Sequence, residues 1–204
     1  MLSTIEGWVR TLSLLAALAT LTLAIWRGVF QSLRRPAGRS TRAASRVLRV
    51  PLLAAATVLW VGACVLLWRP LPLPDSDALR LLGLLLGAPL LLAGLALYLW
   101  GSVTLGAMHG PSSGFGVRLL AGHRLVTQGP FAYLRHPLYL GLQVAGLGGL
   151  LLYRNWTWAF IFLNMMGLFL RARREEEALA LEFGEAWQAY VRRVPRWLPR
   201  RKRV

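Results

Sequence analysis

Two of the chain's three histidines, His123 and His136, share one stretch, GHRLVTQGPFAYLRHPLY, residues 122–139. An imidazole can donate, accept or take up a proton near neutral pH, so histidines beside tyrosine and arginine can build a site. The stretch holds a turn pair, Gly129-Pro130, and an Arg135-His136-Pro137 triplet that runs straight into an apolar segment. Proline biases the residue before it to extended geometry and suits the first position of a helix. His136 is therefore expected at the mouth of a helix that begins at Pro137. A second concentration of chemistry is acidic. Of eight acids, five fall within residues 175–185: Glu175, Glu176, Glu177, Glu182 and Glu185. Arg171 lies one helical turn before Glu175, on the same face. A carboxylate just past an apolar run is costly unless it is paired or binds something, such as a cation, a ribose or an amino group. Periodicity alone supports a plainer reading. Leu179, Phe183, Ala186, Trp187 and Tyr190 would form the apolar face of a solvated amphipathic helix.

The elements that must position these groups are apolar. The chain has 204 residues, 56% of them hydrophobic, and a mean hydropathy of +0.50. That composition excludes an ordinary soluble domain and indicates an integral membrane protein. The net charge of +16 does not indicate nucleic acid, because the basic residues sit in blocks beside apolar runs rather than along one soluble face. The lone cysteine, Cys64, excludes an internal disulfide and reads as a small core residue. The opening MLSTIEGW lacks the positive n-region of a cleavable signal.

Five apolar runs are legible, at about 8–30, 51–68, 79–101, 138–153 and 156–172. They predict an all-α integral membrane protein of about five transmembrane helices, with a C-terminal amphipathic helix. Arg10 and Arg27 are expected to snorkel from the ends of the first run. Loop 31–49 carries six arginines and no acid, which places it in the cytoplasm together with 102–137 and the C-terminal tail. The N-terminus and the two short loops then lie outside. Spans four and five, separated only at Arg154-Asn155, must form a helical hairpin. Residues 1–101 are expected to form an N-terminal three-helix membrane region, and 102–204 the region that holds the site. Glycines in GLGGL, 146–150, lie inside a span without a preceding strand, so they indicate close helix packing rather than a dinucleotide loop.

Taken together, Gly122 to Tyr139, the Glu175-Glu176 pair, the Phe183-Gly184 step, Tyr190 and the ending RRVPRWLP resemble the isoprenylcysteine carboxyl methyltransferase family. That family is related to phospholipid N-methyltransferases. The resemblance covers roughly residues 100–200 and leaves the first two spans without a motif. It implies a membrane enzyme that uses S-adenosylmethionine, with S-adenosylhomocysteine as product, in a helical cytoplasmic pocket. By matching motif it assigns the cofactor to His123, Arg124, Leu125, Val126, Phe131, His136, Pro137, Leu138, Tyr139 and Glu175. Arg171 and Glu175 would be the catalytic pair, with Arg171 contacting the substrate. Phe131 stands where the family usually has tyrosine, so a hydroxyl is lost while the ring remains. No metal is implied.

These residue types suit methyl transfer, in which the protein chiefly holds donor and acceptor in line. Rings of Tyr139 and Phe131 can attract a sulfonium, and backbone amides at Gly129-Pro130 can bind a carboxylate. An arginine orients a carboxylate acceptor, whereas it would repel a protonated amine. A lipophilic carboxylate acceptor, arriving from the lipid bilayer and free or attached to a lipidated partner, is therefore favoured. Phospholipid or small-amine N-methylation, an NADPH-dependent sterol-type reductase sharing the RHPxY region, and a non-catalytic membrane scaffold are the alternatives. Singly, each residue has a plainer role: His123 and His109 as loop histidines, His136 at a helix entry, Arg135 and Tyr139 as interface anchors, Arg171 as a snorkelling arginine. Oligomeric state is not legible.

Overall fold

The computed structural model describes residues 1–34, 37–40, 50–106, 118–120 and 124–198. Each apolar run becomes helix: α1 Leu2–Arg34, α2 Val50–Leu66, α3 Asp77–Leu105, α4 Pro137–Tyr153, α5 Trp156–Met166 and α6 Leu168–Arg193. Gly167 between α5 and α6 keeps right-handed helical angles, φ −59° and ψ −19°. The Arg171 amide reaches the Gly167 carbonyl at 3.2 Å, so the fifth run continues into the acidic helix and five rods result. Two helical stretches, Leu2–Ala24 and Asp77–Leu105, are long and apolar enough to cross a bilayer, while Ala55–Leu66 and Pro137–Tyr153 are apolar but shorter.

The helical architecture is as expected, with one small addition outside the helices. Strand β1, Ala37–Ser40, pairs antiparallel with β2, Arg118–Leu120. Neither strand shows the alternating apolar pattern by which a strand is recognised. Their pairing links the basic 31–49 loop to the 102–137 stretch.

Helices α3 and α4 make the most extensive contact in the molecule. Glycines recur every seven residues on both: Gly87, Gly94 and Gly101 on α3, Gly141 and Gly148 on α4. A seven-residue repeat keeps one narrow stripe facing the partner, and small residues there let the backbones approach where lipid supplies no hydrophobic drive. A Cβ on Gly148 would lie 2.2 Å from the Leu91 amide nitrogen, and one on Gly94 2.4 Å from that of Ala145. Ala88, Leu91, Leu95, Ala145, Leu152, Tyr153 and Trp158 fill the core around this seam, and Val9, Leu14, Ala16 and Ala17 of α1 pack against it.

The end of the bundle away from His136 is closed by charge. Glu6 is only 4% exposed and pairs with Arg10, at 3.0 Å, and with Arg154. Arg10 therefore does not simply snorkel; it also donates to the Leu152 carbonyl at 3.0 Å. Arg154 ends α4 in the left-handed region, φ 50° and ψ 45°. Asn155 then caps α5, accepting from the Trp158 amide at 2.9 Å.

Candidate active site

Three short pieces converge at the other end of α4. His136 is its N-cap, with φ −125° and ψ 58°, and Pro137 takes the first helical position. The chain before it makes a 3-10 turn, Gly129–Ala132. There the amides of Phe131, Tyr133 and Leu134 are taken up by carbonyls of residues 128 and 130. The expected carboxylate-binding amides at Gly129-Pro130 are thus mostly committed to the turn itself.

Helix α6 brings the acids. Gly184 interrupts it at φ 48° and ψ −118°, angles open to glycine and strained for other residues. Past that kink Trp187, Tyr190 and Val194 gather with Leu125, Leu179 and Phe183. Ala186, expected on the same apolar face, is exposed, because the kink resets the helical phase. The Tyr190 hydroxyl donates to the Phe131 carbonyl at 2.7 Å; burial pushes its phenol up to about 12, so it stays a donor. The Arg135 amide donates to the Pro195 carbonyl at 3.0 Å, which returns the segment Val194–Trp197 to the RHP triplet.

Adjacent residues on a helix point about 100° apart, and here the two glutamates bracket one ring. Glu176 Oε1 lies 3.0 Å from His136 Nε2, and Glu175 Oε2 lies 3.9 Å from His136 Nδ1. Tyr139 donates its hydroxyl to Glu175 Oε2 at 2.6 Å. Its ring stacks on His136 at 5.3 Å and 3°, while the Arg171 guanidinium lies over the same ring, 5.3 Å from its centroid. Trp197 approaches the imidazole at 5.5 Å and meets Phe169 edge-on at 4.7 Å.

Glu176 is the hub. It is 8% exposed and His136 6%. Arg135 reaches Oε1 at 2.9 Å. Arg196 holds both oxygens, through Nε at 2.9 Å and through a closer contact from its terminal nitrogen. Burial alone would raise the carboxyl, but hydrogen bonds from His136 and Arg196 and the charge of Arg135 outweigh it and bring the value down to about 2 from an ordinary 4.5. A carboxyl held low stabilises the fold above its unfolded value and loses that contribution as pH falls toward the folded one. The midpoint of thermal unfolding in detergent should therefore fall as the pH drops from about 4.5 to about 2, and Glu176→Gln should flatten that slope.

Of the residues singled out in the sequence, His136, Tyr139, Arg171 and Glu175 stand together. His123 and His109 lie outside the described residues. Arg124 is exposed, Leu125 and Val126 are half-buried, and Phe131 is buried. Pro137 and Leu138 are buried in the first turn of α4, with Leu138 against Gly101. Glu176, Arg135, Arg196 and Trp197 received no site role from sequence reasoning. Their signal was present in the Glu-Glu doublet of an acid-poor chain and in the arginine of VPRW. Among the described residues no group of three or more His, Cys, Asp or Glu is arranged to hold a metal ion.

Apolar rods closed by buried charge at their ends suit a helical membrane protein, and two of the helical stretches are long and apolar enough to cross a bilayer. Residues 86–181 match the model of the isoprenylcysteine carboxyl methyltransferase (ICMT) family. It is 35% identical over 79 residues to the protein-S-isoprenylcysteine O-methyltransferase of Schizosaccharomyces pombe, 38% of this chain and 34% of that one. The proteins of the same name from Mus musculus and Homo sapiens are each 37% identical over 79 residues, 28% of their length. The matched part thus spans about a third of these curated relatives.

Proposed function

We propose that the protein is an S-adenosylmethionine-dependent methyltransferase acting on a lipophilic carboxylate, of the isoprenylcysteine kind named in its relatives. The observation that supports this most is the bracketing of the His136 ring by the two glutamates, Glu176 bonded to Nε2 and Glu175 facing Nδ1, beside Tyr139 and Arg171. A donor bearing a sulfonium, an ammonium and several N–H groups suits a cluster of carboxylate, imidazole and aromatic ring. Among the described residues Arg171 Nε is buried without a hydrogen-bond partner, which suits a site built to receive an anion.

When bound, the cofactor would supply an activated methyl group and leave as S-adenosylhomocysteine. Glu175 and His136 would hold its polar end, with His123, Arg124, Leu125, Val126, Phe131, Pro137 and Leu138 completing the pocket. Tyr139 would offer its ring face and, through its hydroxyl, keep Glu175 oriented. Arg171 would align the acceptor carboxylate, which is already nucleophilic and needs no base.

The same reading takes residues 102–204 as the methyltransferase region and 1–101 as membrane scaffold. It puts the site and C-terminus in the cytoplasm and the N-terminus outside; pairing of β1 with β2 supports a common side for the two basic stretches. Calorimetry tests the proposal. Purified protein in detergent should bind S-adenosylmethionine, and Glu175→Ala should weaken binding by about tenfold or more. Absence of any binding would reject it.

A further inference from the structure

We infer that Glu176 is a positioning residue, which fixes His136 as its Nε2–H tautomer and leaves the Nδ1 lone pair facing Glu175 and the ligand space. An ionised carboxylate can only accept hydrogen bonds. Glu176 is ionised at any physiological pH, because two guanidinium groups converge on it: Arg135 at 2.9 Å and the bidentate Arg196. The His136 Nε2 atom, 3.0 Å from Glu176 Oε1, must therefore donate. A neutral imidazole has one N–H, so Nδ1 is left as an acceptor.

Nothing in the described chain uses that acceptor. The separation from Nδ1 to Glu175 Oε2, 3.9 Å, is beyond hydrogen-bond range. Glu175 Oε2 is itself accepting from Tyr139. Two acceptors thus face the same space, and what suits them both is a group with several N–H donors. The ring cannot turn over to exchange its nitrogens cheaply, because it is stacked on Tyr139 and backed by Trp197. Arg196 and Trp197 belong to one short segment tied to Arg135 through the Pro195 carbonyl. The same salt bridge that ionises Glu176 therefore also seats the aromatic wall behind the imidazole.

In its bearing on ligand affinity this inference rests on the methyl-donor reading, but its main readout does not. The experiment is two-bond proton–nitrogen correlation spectroscopy of full-length protein labelled with 15N-histidine, without ligand and at alkaline pH, with His136 assigned by its loss in His136→Gln. The wild type and Arg196→Met should both show the Nε2–H tautomer alone. Glu176→Gln, whose amide can donate as well as accept, should show a mixture, and should bind S-adenosylmethionine roughly tenfold more weakly. Protonation of Nδ1 in the wild type, as the other tautomer or as imidazolium, would overturn the inference. So would an unchanged single tautomer in Glu176→Gln. Should that variant fail to fold, the wild-type and Arg196→Met spectra decide. A wild type that binds no S-adenosylmethionine would reject the methyl-donor reading instead, and the ligand-free spectra would still decide the tautomer.

Discussion

Gly148→Ala should destabilise the protein by about 3 kcal/mol, an overpacking cost at the upper end of the usual range. In an unconstrained helix the same change stabilises by about 1 kcal/mol, because alanine is the better helix former. The sign reverses here because the added methyl meets backbone, not a movable side chain. Its Cβ would sit 2.2 Å from the Leu91 nitrogen and 2.6 Å from the Gly87 oxygen, so relief requires α3 and α4 to move apart. Gly146 is the control. It lies on the same helix, but its Cβ would come no closer than 3.4 Å, to the Phe162 ring, and Gly146→Ala should be neutral or mildly stabilising. Thermal unfolding of the two variants in detergent measures the difference. Equal midpoints would mean that the seam is not tightly closed. The consequence reaches the site, because α4 carries His136 and Tyr139 on its first turn and α3 is the wall it leans on.

Close packing at Gly148 and Gly149 was readable because packing in lipid favours small residues, and GLGGL has no other structural use inside a span; the rest of the seven-residue stripe, on α3 and at Gly141, was not read. The helix start at Pro137 was readable because proline suits a first helical position, although His136 before it, at ψ 58°, departs from the extended geometry expected there. What the sequence hid is of two kinds. The β1–β2 pairing joins segments far apart in the chain and of no apolar alternation, so no local pattern reports it. The Glu176 hub depends on the Gly184 kink, which folds the chain back and delivers Arg196 to a glutamate twenty residues earlier. Periodicity treats 175–190 as one helix and so places Ala186 on the buried face. It can show that Glu175 and Glu176 point different ways, but not that a returning segment waits on the second of those sides. Around Gly129-Pro130 a local pattern could not show that the turn takes up the amides of Phe131, Tyr133 and Leu134 for itself, since a tight turn consumes its own donors.

Arg171→Leu should reduce kcat/KM toward a prenylated cysteine analogue by on the order of 10²- to 10³-fold, about 3–4 kcal/mol of lost transition-state binding. The guanidinium lies over the Tyr139 ring, and its Nε is buried with no hydrogen-bond partner among the described residues. Burying a donor unmatched is costly, and a ligand carboxylate arriving there would relieve that cost. Arg171→Lys separates charge from shape. It keeps a cation but loses the planar fork that grips a carboxylate, so it should recover only part of the lost rate. Affinity for S-adenosylmethionine, measured by calorimetry on the same variants, should change by less than about threefold, since Glu175 and His136 remain in place. A parallel fall in cofactor affinity and rate would assign Arg171 to the cofactor's own carboxylate, and the acceptor would then need no anionic group. An amine acceptor predicts the opposite trend, because removing a cation would ease the approach of an ammonium precursor. The direction of the Arg171→Leu effect on the two acceptor classes therefore decides between carboxyl and amine methylation at this site.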